Sequence, residues 1–87
     1  MTEDSLNLCF KALSSETRRK ILLLLAKNPL SAGDIVKNFN LTGATISHHL
    51  KILSESKMIK RKRMGLGIYY SLNITEWKSI KNWFYCI

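Results

Sequence analysis

The sequence predicts a mainly α-helical fold: five helices and one β-hairpin in a single domain spanning residues 1–87. Three observations carry this. Apolar residues recur at helical spacing through most of the chain, as with Ile46, Leu50 and Leu53. Ser, Thr or Asp stands ahead of each such run, where helices are capped. After Met58 the pattern changes to β-branched and aromatic residues around two glycines, the composition of a hairpin.

Taken in order, Asp4 or Ser5 can cap a first helix with Leu6, Phe10 and Leu13 on one side. Ser14 or Ser15 caps a second, with Glu16 favourable in its first turn. Ile21, Leu22, Leu24 and Leu25 are too many apolar residues for a thin stripe, so this helix should be central. It ends before Pro29, because the residue preceding a proline avoids the helical region. Leu30 starts a short extended piece. "SAGD" (Ser31 to Asp34) has the form of a capping box, with Asp where Glu is usual. The third helix then presents Ala32, Ile35, Val36 and Phe39. Asn40 and Leu41 make a tight turn, and Thr42 caps the fourth helix. A short helix, a brief turn and a second helix form a helix-turn-helix pattern. In "IKRKRMGLGIYYSLN" (Ile59 to Asn73), Gly65 and Gly67 supply the turn of a hairpin. On its return strand Ile68, Tyr70 and Leu72 alternate with Tyr69 and Ser71, so one set should face the core. Thr75 caps a last helix carrying Trp77, Ile80, Trp83, Phe84 and Ile87.

Composition narrows the function. The chain is small, but 46% of its residues are apolar, enough to fold. Its formal charge of +8 points to a polyanionic partner, nucleic acid or an anionic membrane. The longest apolar run, Ile21 to Ala26, is far shorter than the roughly 18 residues of a spanning helix, so no membrane insertion is expected. "MTEDS" is acidic and is not a signal peptide. Two cysteines do not form a secreted disulfide framework, which makes the cytoplasm the expected compartment.

The adjacent histidines in "TGATISHHLKIL" separate by geometry. At about 100° per residue, Ala44, His48 and Lys51 fall opposite the Ile46–Leu50–Leu53 stripe, with Thr45 and Ser47 on its flanks. His48 points outward, whereas His49 lies beside the stripe and should bond to a neighbouring element. Neither the pair as metal ligands nor Ser47 and His48 as a catalytic dyad can converge, since helix neighbours diverge. The outward face of Gly43, Ala44, Thr45, Ser47, His48 and Lys51 is small and polar. It suits close approach to base edges and phosphates, or it is an ordinary solvated face. Lys57, Lys60, Arg61, Lys62 and Arg63 then give five cations in seven residues with no acid among them. A cationic hairpin arm after a helix-turn-helix favours DNA.

No carboxylate pair or Gly-rich phosphate loop marks an enzyme, and no cofactor is expected. The last helix carries only Lys78 and Lys81 on its polar side, a weak lipid-binding pattern. An interaction module without specific DNA binding is the remaining alternative.

The segments "FKALSSETRRKILLLL", "SAGDIVKNFNLTGATISHHLKIL" and "MIKRKRMGLGIYYSLN" together resemble the ArsR family of bacterial winged-helix repressors. The resemblance implies a winged helix-turn-helix fold and a homodimer joined through the first and last helices. It also implies occupancy of double-stranded operator DNA with an inverted repeat. Carried over, the DNA contacts are Gly43, Ala44, Thr45, Ser47 and His48, with Arg61, Lys62 and Arg63 from the wing. Many members sense metals, through paired cysteines in the third helix or through Asp, His and Glu on the last. Here "SAGDIVKNF" has no Cys or His, and "TEWKSIKNWFYCI" offers only Glu76 and Cys86. The chain therefore resembles a branch without the metal-sensing sites, and the inducer or protein antagonist is not named by its residues.

Two apolar stripes, Leu6, Phe10 and Leu13 on the first helix and Trp77, Ile80, Trp83, Phe84 and Ile87 on the last, exceed what so small an interior can hold. They are expected in a two-fold interface; the alternative is that the last helix folds back on its own domain. Cys9 and Cys86 should lie in or near that interface, as packing residues or as a reversible, redox-responsive disulfide.

Overall fold

The computed structural model describes residues 1–87. Five helices, α1 (Glu3–Leu13), α2 (Glu16–Lys27), α3 (Ala32–Val36), α4 (Gly43–Glu55) and α5 (Ile74–Tyr85), surround a three-stranded antiparallel sheet of β1 (Leu30–Ser31), β2 (Ile59–Met64) and β3 (Gly67–Leu72). The strand order is β1-β3-β2. The winged helix-turn-helix expectation holds, and the short extended piece at Leu30 is a strand in its own right. Leu30 pairs with Tyr70 and Ser31 with Tyr69, which ties the hairpin back to the start of α3.

The caps follow side-chain chemistry at each helix start. Thr2, rather than Asp4 or Ser5, caps α1, and its hydroxyl accepts from the Ser5 N–H at 3.1 Å. Glu3 and Asp4 thereby fall in the first turn, where carboxylates favour the helix dipole. Of the two serines before α2, Ser15 is the cap and Ser14 closes α1. Ser31 caps α3 and Thr42 caps α4. The last helix starts at Ile74, so Thr75 is not its cap. Asn73 occupies that position without a side-chain bond, and its backbone N–H donates to Met58 O at 3.0 Å. That bond turns the chain into α5 as soon as β3 ends. Helix α3 is shorter than its apolar spacing predicts, and Phe39 lies beyond its end.

The core is one cluster in which Ile21, Ile35, Ile46, Leu53, Met58 and Ile80 are fully buried. It contains Leu6 and Ile80, both expected in an interface between copies. They are 5% and 1% exposed within the protomer, so their stripes turn partly inward. Leu13, Trp77 and Trp83 pack against the same cluster. The last helix thus does fold back on its own domain along one side, while Phe10, Phe84 and Ile87 stay exposed. Phe10 stacks edge-on against Trp83 and Phe84, with centroids 5.6 and 6.2 Å apart. The cysteines separate: Cys9 is a core residue donating to Ser56 O at 3.8 Å, and Cys86 is exposed. Burial and the nearby Glu76 carboxylate push the Cys9 thiol up, away from the reactive thiolate.

In the hairpin, Tyr70 and Leu72 pack on the core but Ile68 does not. The strands outrun the helices that back them, so alternation loses its meaning towards the tip. Gly65 turns the chain with φ +63° at the first position of a two-residue turn. Gly67 has no such φ and belongs to β3; a Cβ there would meet the Tyr69 ring at 3.2 Å. Its smallness makes room for that ring and does not form the turn.

Candidate nucleic-acid interface

Helix α4 buries Ile46, Leu50 and Leu53 and exposes Gly43, Ala44, Thr45, Ser47, His48 and Lys51. All six residues singled out from the sequence are therefore open to solvent. No acidic residue occupies its first turn, so the positive end of the helix dipole is uncompensated there. Thr42 Oγ1 accepts from the Thr45 N–H at 3.2 Å and lies 2.9 Å from the Thr45 hydroxyl. The first turn is thus stiffened by the two threonines that flank its outer surface. Space in front of Gly43 is open.

Arg61, Lys62 and Arg63 are exposed on β2. Strand alternation places Arg61 and Arg63 on one face and Lys62 on the other. Arg61 pairs with Tyr70 and Arg63 with Ile68 in the ladder. The Arg61 face meets α4: Ser47 and Lys51 from the helix, and Arg61 and Tyr70 from the hairpin, line one open groove of about 460 Å³. Glu55 also lines it. Tyr70 was legible in the sequence only as a core candidate; its position between helix and hairpin comes from the β2–β3 register.

Behind the outer face lies a polar anchor that charge counting does not reveal. Arg18 is buried at the start of α2. Its Nε donates to Ala12 O and its Nη2 to Lys11 O, both at 2.9 Å. These are carbonyls of the last turn of α1, at the negative end of its dipole; Lys11 O also accepts from the Ser14 N–H and hydroxyl. The Arg18 Nη1 meets His49 Nδ1 at 3.1 Å. One guanidinium therefore joins α1, α2 and α4. His49 fulfils its expected bond to a neighbouring element, and its ring is tilted 54° from that of His48. Burial, then the Arg18 and His48 charges, hold His49 below its ordinary pKa, which keeps Nδ1 free to accept. The only signal in the sequence was the Ser-capped "SETRR" that opens the helix, which does not distinguish Arg18 from Arg19.

No group of three or more His, Cys, Asp or Glu side chains comes together in the chain, and no helix is long and apolar enough to cross a membrane.

Comparison with known proteins bears on this geometry. Residues 15–61 match the family described as "Bacterial regulatory protein, arsR family". The transcriptional repressor SdpR of Bacillus subtilis (strain 168) is 49% identical over 78 residues, covering 90% of this chain and 87% of that protein. An ArsR-like transcriptional regulator from Rhodococcus sp. RHA1 superposes with a TM-score of 0.84 at 27% identity, covering 94% of this chain and 78% of that one. A homodimeric winged helix-turn-helix DNA-binding domain from Mycobacterium bovis gives 0.74 at 28% identity, covering 79% of this chain and 64% of that one. The matched region contains α2, α3, α4 and the start of β2, and with them the groove residues Ser47, Lys51 and Arg61, though not Tyr70. The chain belongs to the arsR family of bacterial regulatory proteins and is a winged helix-turn-helix, DNA-binding transcriptional regulator rather than an enzyme.

Proposed function

We propose that the protein is a homodimeric repressor that binds an inverted-repeat operator in the cytoplasm. The observation that carries this reading is the groove shared by Ser47 and Lys51 of α4 and Arg61 and Tyr70 of the hairpin. In this reading the first half of α4 enters the major groove. Gly43, Ala44, Thr45, Ser47 and His48 then face base edges, and Lys51 reaches a phosphate. Arg61, Lys62 and Arg63 follow the adjacent backbone, where their charge acts without regard to sequence. Exposed Phe10, Phe84 and Ile87 support a two-fold contact through α1 and α5, with Trp83 as its partly buried edge. The similar domain from Mycobacterium bovis is homodimeric, and the similar protein from Bacillus subtilis is a repressor. Both point the same way.

Footprinting on fragments selected from genomic DNA tests the reading. The expected result is protection of an inverted repeat with half-sites about 10 bp apart. Ser47→Ala or His48→Ala should cost on the order of 1–3 kcal/mol on that site and little on unrelated DNA. A footprint with no preferred sequence at any salt concentration would overturn it. Zinc added to reduced protein should not release the operator; release with tight binding would reassign the sensing branch.

A further inference from the structure

Away from the α4–hairpin groove lies a second concavity of about 490 Å³, bounded by Leu13 at the end of α1, by α2 and α5, and by the base of β3. Its floor and walls are apolar: Leu22, Leu23 and Ala26 from α2, and Ile74 and Trp77 from α5. Leu23 and Ile74 are 68% and 56% exposed, so the surface is open to an occupant. The polar residues bordering it are Arg19, Lys78 and Lys81, and no acid lines it. Neither lysine has an ion-pair partner, since the chain's two salt bridges use Lys20 and Lys37. Arg19 is held in place by donating to Leu13 O at 2.7 Å. Trp77 contributes a wall, and its shielded Nε1–H is the only buried side-chain N or O without a hydrogen-bond partner.

We infer that this groove is a binding site for a small amphipathic organic anion, an aliphatic chain ending in a carboxylate. The volume suits such a molecule. The apolar walls take the chain, and the Lys78–Lys81–Arg19 border takes the head group. Nucleic acid is a poor fit because it would set phosphates against Leu23 and Ile74. A second copy would have to answer the Arg19–Lys78–Lys81 border with acidic side chains, of which the chain has six against 14 basic ones. Two of those acids, Glu16 and Asp34, are already paired. The site shares Leu72 with the hairpin base, where it pairs with Ile59, and an occupant would touch both the wing and α5.

Decanoate below its micelle concentration, followed by ¹H–¹⁵N correlation spectra, tests the assignment without DNA. Decan-1-ol and decyltrimethylammonium serve as chain-matched controls. The expected result is saturable shifts confined to the Trp77 indole, Leu23, Ala26 and Ile74. Decanol should bind at least tenfold more weakly and the cation not at all. Lys78→Glu with Lys81→Glu should weaken decanoate at least fivefold and leave decanol unchanged; unaltered spectra elsewhere show that this exposed pair leaves the fold intact. Equal binding of decanol, or shifts scattered over the basic surface, would overturn the proposal. So would dilution-dependent shifts of the same residues without ligand, which would give the groove to a second copy. Broadening by phosphatidylglycerol vesicles with no saturable decanoate response would overturn it in favour of a membrane surface.

Discussion

Helix α4 and the β2–β3 hairpin border the same groove but are held there by different means. The helix is fixed by what lies beneath it: Ile46, Leu50 and Leu53 in the core, and His49 on the Arg18 guanidinium. The hairpin has little beneath it, and from Lys60 to Met64 every β2 residue is exposed. Its shape comes from the backbone ladder, the Gly65 turn and the short β1 strand. The difference teaches where sensitivity should lie. If the groove binds DNA as proposed, changes under α4 act through stability and reach DNA second-hand, whereas changes on the hairpin reach DNA directly and leave the fold alone.

The largest effect should come from beneath the helix. Ile46→Ala removes a fully buried side chain and should cost about 2–5 kcal/mol of stability by denaturant unfolding. Arg18→Ala removes the guanidinium donors to Ala12 O, to Lys11 O and beside His49, and should cost about 1.5–3 kcal/mol. If either protein unfolded at the wild-type denaturant midpoint, the contrast would fail. Replacing Arg61, Lys62 and Arg63 together by Ala is the reverse experiment. Stability should change by no more than about 0.5 kcal/mol. The slope of log affinity against log salt should fall by about three, equally for operator and unrelated DNA. A triple variant that unfolds early would show that the hairpin, too, is held by its side chains.

A finer distinction uses pH. Because His49 sits below its ordinary pKa in the fold, the unfolded chain binds the extra proton first as pH falls. Its contribution to stability is complete above the unfolded value of about 6.5 and is lost as pH drops through the lower, folded one. Thermal unfolding of wild type between pH 7 and pH 5 should therefore fall more than that of His49→Gln. Parallel curves would remove the imidazole from the account. The smallest effect concerns the joint between the two regions. Lys57 is the one non-glycine residue with positive φ, at +62°. Lys57→Gly relieves that conformation and should raise stability by up to about 1 kcal/mol; a loss would show that its side chain contributes more than its backbone costs.

Periodicity and capping made most of the fold legible. Ser31, Thr42, the α4 stripe and the outward face from Gly43 to Lys51 all stand where spacing puts them, because one face of a helix is decided locally. What stayed hidden was non-local. Leu6 and Ile80 sit in apolar stripes wide enough to serve both core and surface, and spacing alone does not divide such a stripe between them. Arg18 looks like any surface cation until the end of α1 is seen to terminate against it. The hydrogen bond from Asn73 to Met58, which sets the start of α5, joins residues fifteen apart. The wing's cations were visible from composition, but the placement of Arg61 in one groove with Ser47 required the strand register.

Ser31 holds two offices at once. Its hydroxyl caps α3, and its backbone lies in the ladder opposite Tyr69 of β3. A wing that swung outward would have to drag the cap of α3 with it or break the β1–β3 pairing. Reading helix and wing therefore behave like the two jaws of a caliper locked at one opening. Adaptation to operators of different groove width must come from the DNA, whose stiffness varies with sequence, or from the angle between two copies. In the proposed complex, a base pair added between helix and wing contacts should be rejected, while one added between half-sites meets only the compliance of the proposed contact between copies.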